Sequence, residues 1–83
     1  MRIHLTRQVV NLIYALREDG QAIRAAIEEI RQDPNHPDAI TSPGRPGRRE
    51  LFVRVDMRGY WIGYEIDSAG GETMVIIASV EQN

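Results

Sequence analysis

Residues 54–67 read RVDMRGYWIGYEID. Their side chains alternate in character along two runs separated by a turn. Upstream, Leu51, Val53 and Val55 alternate with Phe52, Arg54 and Asp56. Downstream, Tyr60, Ile62, Tyr64 and Ile66 alternate with Trp61, Gly63 and Glu65. A two-residue period is the mark of a strand with one buried face. The stretch therefore predicts two strands joined by a turn near residues 57–59, with Tyr60 and Tyr64 on the core side. Trp61 falls on the opposite face with Glu65, beside Arg54 if the two strands pair.

Beyond these strands, residues 67–72 contain two glycines and read as a hairpin loop. The run from Thr73 to Val80 is almost entirely apolar, as a central strand would be. Before the first of these strands, residues 33–47 hold all four prolines of the chain together with Gly44 and Gly47. Proline fixes φ and removes an amide donor, so this segment is expected to be a loop. Further upstream, Val9, Val10, Leu12, Ile13 and Leu16 recur at helical spacing behind Thr6, a capping residue. Asp19-Gly20 is expected to end that helix. A second helix is expected from about Gln21 to Gln32, with Ala22, Ile23, Ala26, Ile27 and Ile30 as its apolar stripe. Residues 2–5 read as a short strand.

The expected fold is α+β. An N-terminal strand and a helical hairpin pack on a small, mainly antiparallel sheet in the order β-α-α-β-β-β. The 83 residues are expected to form a single domain, 1–83, with one modest core.

Composition narrows the chemistry. The chain has no cysteine, so disulfides, thiolate metal sites and a cysteine nucleophile are excluded. His4 and His36 form no spaced metal motif, and neither a metal nor a cofactor is expected. No run of about 18 apolar residues is present and MRIHLTRQ lacks a signal-peptide core, so a cytoplasmic protein without a membrane partner is expected. Net charge is −2, and all ten cations are arginine. Five of them, Arg45, Arg48, Arg49, Arg54 and Arg58, lie within residues 45–58 against Glu50 and Asp56. A basic face of that kind suits phosphate, and Trp61 or Tyr60 suits base stacking. A solvated loop and core tyrosines are the competing readings of the same residues.

The order of elements resembles the RelE/ParE toxins of bacterial type II toxin–antitoxin pairs. The likeness is carried by Gly59-Tyr60, by Tyr64-Glu65-Ile66-Asp67, and by the apolar strand ending Ala78-Ser79-Val80. It implies a toxin held by a cognate antitoxin protein, with oligomeric state open between monomer and homodimer. RelE-like members cut messenger RNA on the ribosome without a metal and so inhibit translation; ParE-like members act on DNA gyrase. Carried onto this chain, the resemblance implies catalytic roles for Arg54 and Tyr60. Arg45, Arg48, Arg49, Arg58 and Trp61 would bind RNA. Trp61 stands where the family has an arginine, and Asp56 falls near another arginine position. Those departures set out the alternatives: a non-catalytic member that binds a protein partner around Trp61, or a gyrase inhibitor.

Overall fold

Strand β1 (Arg2–Leu5) is followed by helices α1 (Arg7–Leu16) and α2 (Glu18–Gln32) in a computed structural model that describes residues 2–83. Strands β2 (Ile40–Ser42), β3 (Arg45–Val55), β4 (Arg58–Asp67) and β5 (Met74–Gln82) complete the fold. The strands form one five-stranded sheet in the order β1-β5-β4-β3-β2. β1 runs parallel to β5, and the other pairings are antiparallel. The α+β class and the expected order of elements are those observed, with β2 as an added edge strand.

Alternation sets the two faces of the sheet. Leu51, Tyr60, Ile62, Tyr64, Val75, Ile77 and Val80 are buried against Val9, Ile13, Ile23, Ala26, Ile27 and Ile30 of the helices. Burial of a side chain of this size contributes about 1.5–3 kcal/mol, so these contacts supply most of the favourable term in folding. A bulge between Gly63 and Tyr64 keeps both ends of β5 in phase. Ser79 pairs with Gly63 while Ile77 pairs with Tyr64, and Ala78 is the extra residue. Val75, Ile77 and Val80 can therefore all face the helices.

The proline-rich segment departs from expectation. Only its first part is a loop; residues 40–42 and 45–47 are strand. Ser42 pairs with Arg45, leaving Pro43-Gly44 as a two-residue turn with Gly44 at φ 77°. Proline followed by a glycine of positive φ fits a type II turn. Pro46 is tolerated because β3 meets β4 only from Arg48 onward and the β2 register shifts beside it. The next turn also differs. Val55 pairs with Arg58, so the turn is Asp56-Met57, and Arg58 is already in β4. Asp56 takes φ 55°, the left-handed value that a two-residue hairpin turn demands.

The helical hairpin breaks at Arg17 (φ 55°, ψ −112°), two residues before the expected Asp19-Gly20 break. Gly20 lies inside α2 and is buried. Its role is close approach: a Cβ built there would stand 2.2 Å from the Ile13 carbonyl oxygen of α1. In an exposed helix, Gly→Ala stabilises by about 1 kcal/mol. Here Gly20→Ala is expected to destabilise by about 1–3 kcal/mol, because backbone must move to admit the methyl. Urea unfolding of the variant checks this, and a gain in stability would disprove the close-approach role.

Candidate functional site

The five arginines of residues 45–58 do not form one cluster. Strand alternation places Arg48 and Arg54 on the open face of the sheet, and Arg49 and Arg58 on the helix side. Arg45 reaches the open-face residue Glu65 at 2.9 Å. The expectation of a flexible basic loop at Arg45, Arg48 and Arg49 is thus corrected, because the segment is ordered by pairing with β2 and β4.

On the helix side the cations are occupied. Arg58, expected in a turn, makes a bidentate pair with Asp19 at the start of α2. Nε donates to Oδ2 at 2.5 Å and Nη2 to Oδ1 at 2.8 Å. The Tyr60 hydroxyl donates to the same Oδ2 at 2.5 Å. Asp19 is 7% exposed, the one buried charged residue among those described. Three charge-assisted hydrogen bonds satisfy it, which is what burial of a carboxylate requires. The Arg58 guanidinium and then the Tyr60 hydroxyl hold the Asp19 carboxyl down at about 2. Asp19 in turn pushes the Tyr60 hydroxyl above its ordinary value, so it remains a donor. Arg49 donates to the Pro46 carbonyl at 2.9 Å and approaches Asn35 Oδ1 at 3.4 Å. Tyr64 is buried and donates to the Pro34 carbonyl at 2.7 Å.

His36 serves the same loop. Its Nδ1 accepts from the Asp38 amide at 3.1 Å, so Nε2 carries the proton and donates to Glu29 at 2.9 Å. It anchors the loop to α2. Among the described residues no group of three His, Cys, Asp or Glu is placed to hold a metal. No helix of the described residues is long and apolar enough to cross a membrane.

The open face has a different character. Phe52 pairs with Trp61 across β3 and β4, their ring centroids 5.0 Å apart at 59°. Tilted contacts in this range are favourable between aromatic quadrupoles. Phe52 is 40% exposed and Trp61 is half-buried. Gly59 makes the arrangement possible, since a Cβ there would lie 2.3 Å from the Phe52 ring. Trp61 faces Phe52 directly, whereas Arg54 faces Gly59, one step along the same face. Arg54 donates to the Asp56 carbonyl at 3.2 Å and makes no ion pair with a described residue. Arg48 stands across from Glu65, but its guanidinium reaches over Gly63 and donates to Ser79 Oγ at 3.0 Å. Glu50 faces Gly63 and Glu81 faces Trp61, so acids stand among the cations.

The residues expected to act in catalysis are therefore separated. Tyr60 is 2% exposed on the helix side, with its hydroxyl engaged by Asp19. Arg54 is exposed on the opposite face. Of the expected nucleic-acid contacts, Arg48 and Trp61 share the open face with Arg54, and Arg45 reaches toward it. Sequence reading missed Asp19 and Phe52. An acid beside a helix break looks like a solvent charge. Phe52, opposite Arg54's neighbours in the alternation, carried a usable signal: an aromatic residue on the same face as Trp61.

The Asp19 tie has a definite pH signature. A carboxyl lowered in the folded state stabilises fully above its unfolded value of 3.8, and that stability is lost as pH falls through 2. Wild type is expected to exceed Asp19→Asn in stability near neutral pH, with the difference shrinking from about pH 5 downward. Denaturant midpoints measured at stepped pH check it; a difference independent of pH over that window would exclude the ion-pair account.

No family model matches the chain, and neither a curated protein nor a solved structure matches it.

Proposed function

We propose that the chain is the toxin component of a type II toxin–antitoxin pair on a RelE/ParE-like scaffold, held by a cognate antitoxin in the bacterial cytoplasm. It acts by binding its target through the open sheet face. One observation carries the binding reading: the Phe52–Trp61 pair, with Phe52 exposed and Trp61 half-buried, lies on an open face where cations and acids are interspersed. Tryptophan and arginine are enriched among the few residues that dominate the energetics of protein interfaces, clustered near the centre of the buried patch. The supposed catalytic pair, Arg54 and Tyr60, projects from opposite sides of the sheet, so a shared proton-transfer or phosphate-stabilising role has no geometric support.

A second reading has its own observation. Arg54 and Trp61 share the open face, an arrangement able to hold a phosphate and stack a base, as a ribosome-dependent endoribonuclease would need.

Controlled expression in a bacterial host separates the two. Wild type is expected to arrest growth, Trp61→Ala to relieve the arrest, and Arg54→Ala to leave it, with messenger RNA uncut in primer extension. Cleavage of messenger RNA on ribosomes that disappears in Arg54→Ala would establish the nuclease instead. Growth unaffected by the wild-type chain at verified expression would remove the toxin reading altogether, and inhibited supercoiling by purified gyrase would redirect it to that target.

A further inference from the structure

The open face holds a cation that no carboxylate of the described residues approaches within 4.0 Å. Arg45 is neutralised by Glu65, Arg58 by Asp19, Arg31 by Glu28 and Arg2 by Glu72. Among the described residues Arg48 has only a neutral partner, Ser79 Oγ. It is nevertheless held in place. Its guanidinium lies in the space above Gly63, where a Cβ would stand 2.1 Å from Nη2 and 2.5 Å from Ser79 Oγ. Glycine at this position of a central strand is costly for the strand itself, so the room it leaves marks a close approach. Here that approach is made by the guanidinium of half-buried Arg48, and Trp61 stands two residues along β4 from Gly63 on the same face.

A pre-oriented guanidinium with unspent donors matches a carboxylate, which accepts two parallel N–H bonds. The surroundings select one negative charge rather than a run of them. Glu65 stands directly across from Arg48 on β4 but is held by Arg45, Glu50 stands across from Gly63, and Glu81 stands across from Trp61. A phosphodiester chain passing over Arg48 would meet these acids in either direction. A polypeptide carrying one acidic side chain next to an apolar one would not, and its apolar residue would rest on Phe52 and Trp61.

We propose that Arg48, seated on Gly63 beside Ser79, is the specificity centre of the open face and receives an aspartate or glutamate side chain of a polypeptide partner. The proposal rests on the open-face binding reading above and names the chemistry of its partner.

Selection of random peptides against the immobilised full chain tests it. Enriched peptides are expected to share an acidic residue beside an aliphatic or aromatic one. For the tightest of them, Asp→Asn or Glu→Gln in the peptide and Arg48→Gln in the protein should each weaken binding about tenfold or more, and the two changes together should cost little beyond either alone. Gly63→Ala keeps Arg48 but dislodges its guanidinium, the flexible end of a side chain, and should weaken the same peptides with thermal unfolding still cooperative. Peptides that depend on Trp61 but ignore both Arg48→Gln and the loss of their acid would overturn the carboxylate site while leaving the open-face reading intact. Peptides indifferent to Trp61→Ala and Arg48→Gln alike would overturn both. A single-stranded RNA 12-mer that binds more tightly than the best peptide at the same salt, and loses that binding on Arg48→Gln, would assign the cation to phosphate instead.

Discussion

The Asp19 carboxylate joins the two layers of this protein. It sits at the turn between α1 and α2 and accepts from Arg58 and Tyr60 at the start of β4. A buried carboxylate in an apolar layer is costly unless every oxygen is engaged. Here the bonds that satisfy it also fix the helical hairpin over one end of the sheet. The neighbouring constraints follow from that docking. Gly20 must lack a side chain because α1 and α2 come together immediately beside Asp19. Arg17 takes up the reversal with a positive φ, a strained conformation for a non-glycine residue that the adjoining contacts maintain.

With the helices held to one face, the other is left uncovered. A sheet of this size has enough apolar side chains for a single layer of packing, and β3 and β4 assign theirs by alternation. What remains outside is mixed: two aromatic rings in contact, arginines, and glutamates. Two glycines shape that surface. Gly59 admits the Phe52 ring and Gly63 admits the Arg48 guanidinium, so side chains that would otherwise stand away from the sheet lie against it. Ordering long side chains before a partner arrives lowers the entropy that binding must overcome.

Functional assignment turns on which cations are available. By sequence, Arg45, Arg48, Arg49, Arg54 and Arg58 form one basic block. In the fold, Arg58 belongs to the interior tie, Arg49 to the loop around Pro34 and Pro46, and Arg45 to Glu65. Arg48 and Arg54 remain on the open face. Tyr60 likewise changes from a residue able to meet a ligand to one that holds Asp19. A polyanion-binding face built from the whole block has thus lost most of its members to structural duties, and a binding role centred on Phe52, Trp61 and Arg48 fits the remainder.

Local patterning alone is enough for the order of elements apart from β2, the faces of β3 and β4, the burial of Tyr60 and Tyr64 and the placing of Trp61 opposite them. These are readable because alternation and helical spacing are local, spanning a few residues. Even there, Ser42-Pro43-Gly44-Arg45 concealed a hairpin turn under the general disfavour of proline for strands. Which charges are neutralised depends on contacts between residues far apart in the chain. Asp19 and Arg58 are 39 positions apart, and Arg48 and Ser79 are 31. Neither separation leaves a periodic trace in the chain. Such pairs exist only once the helical hairpin has docked and β4 lies between β3 and β5, because it is that packing which removes water from Asp19 and brings Ser79 within reach of Arg48.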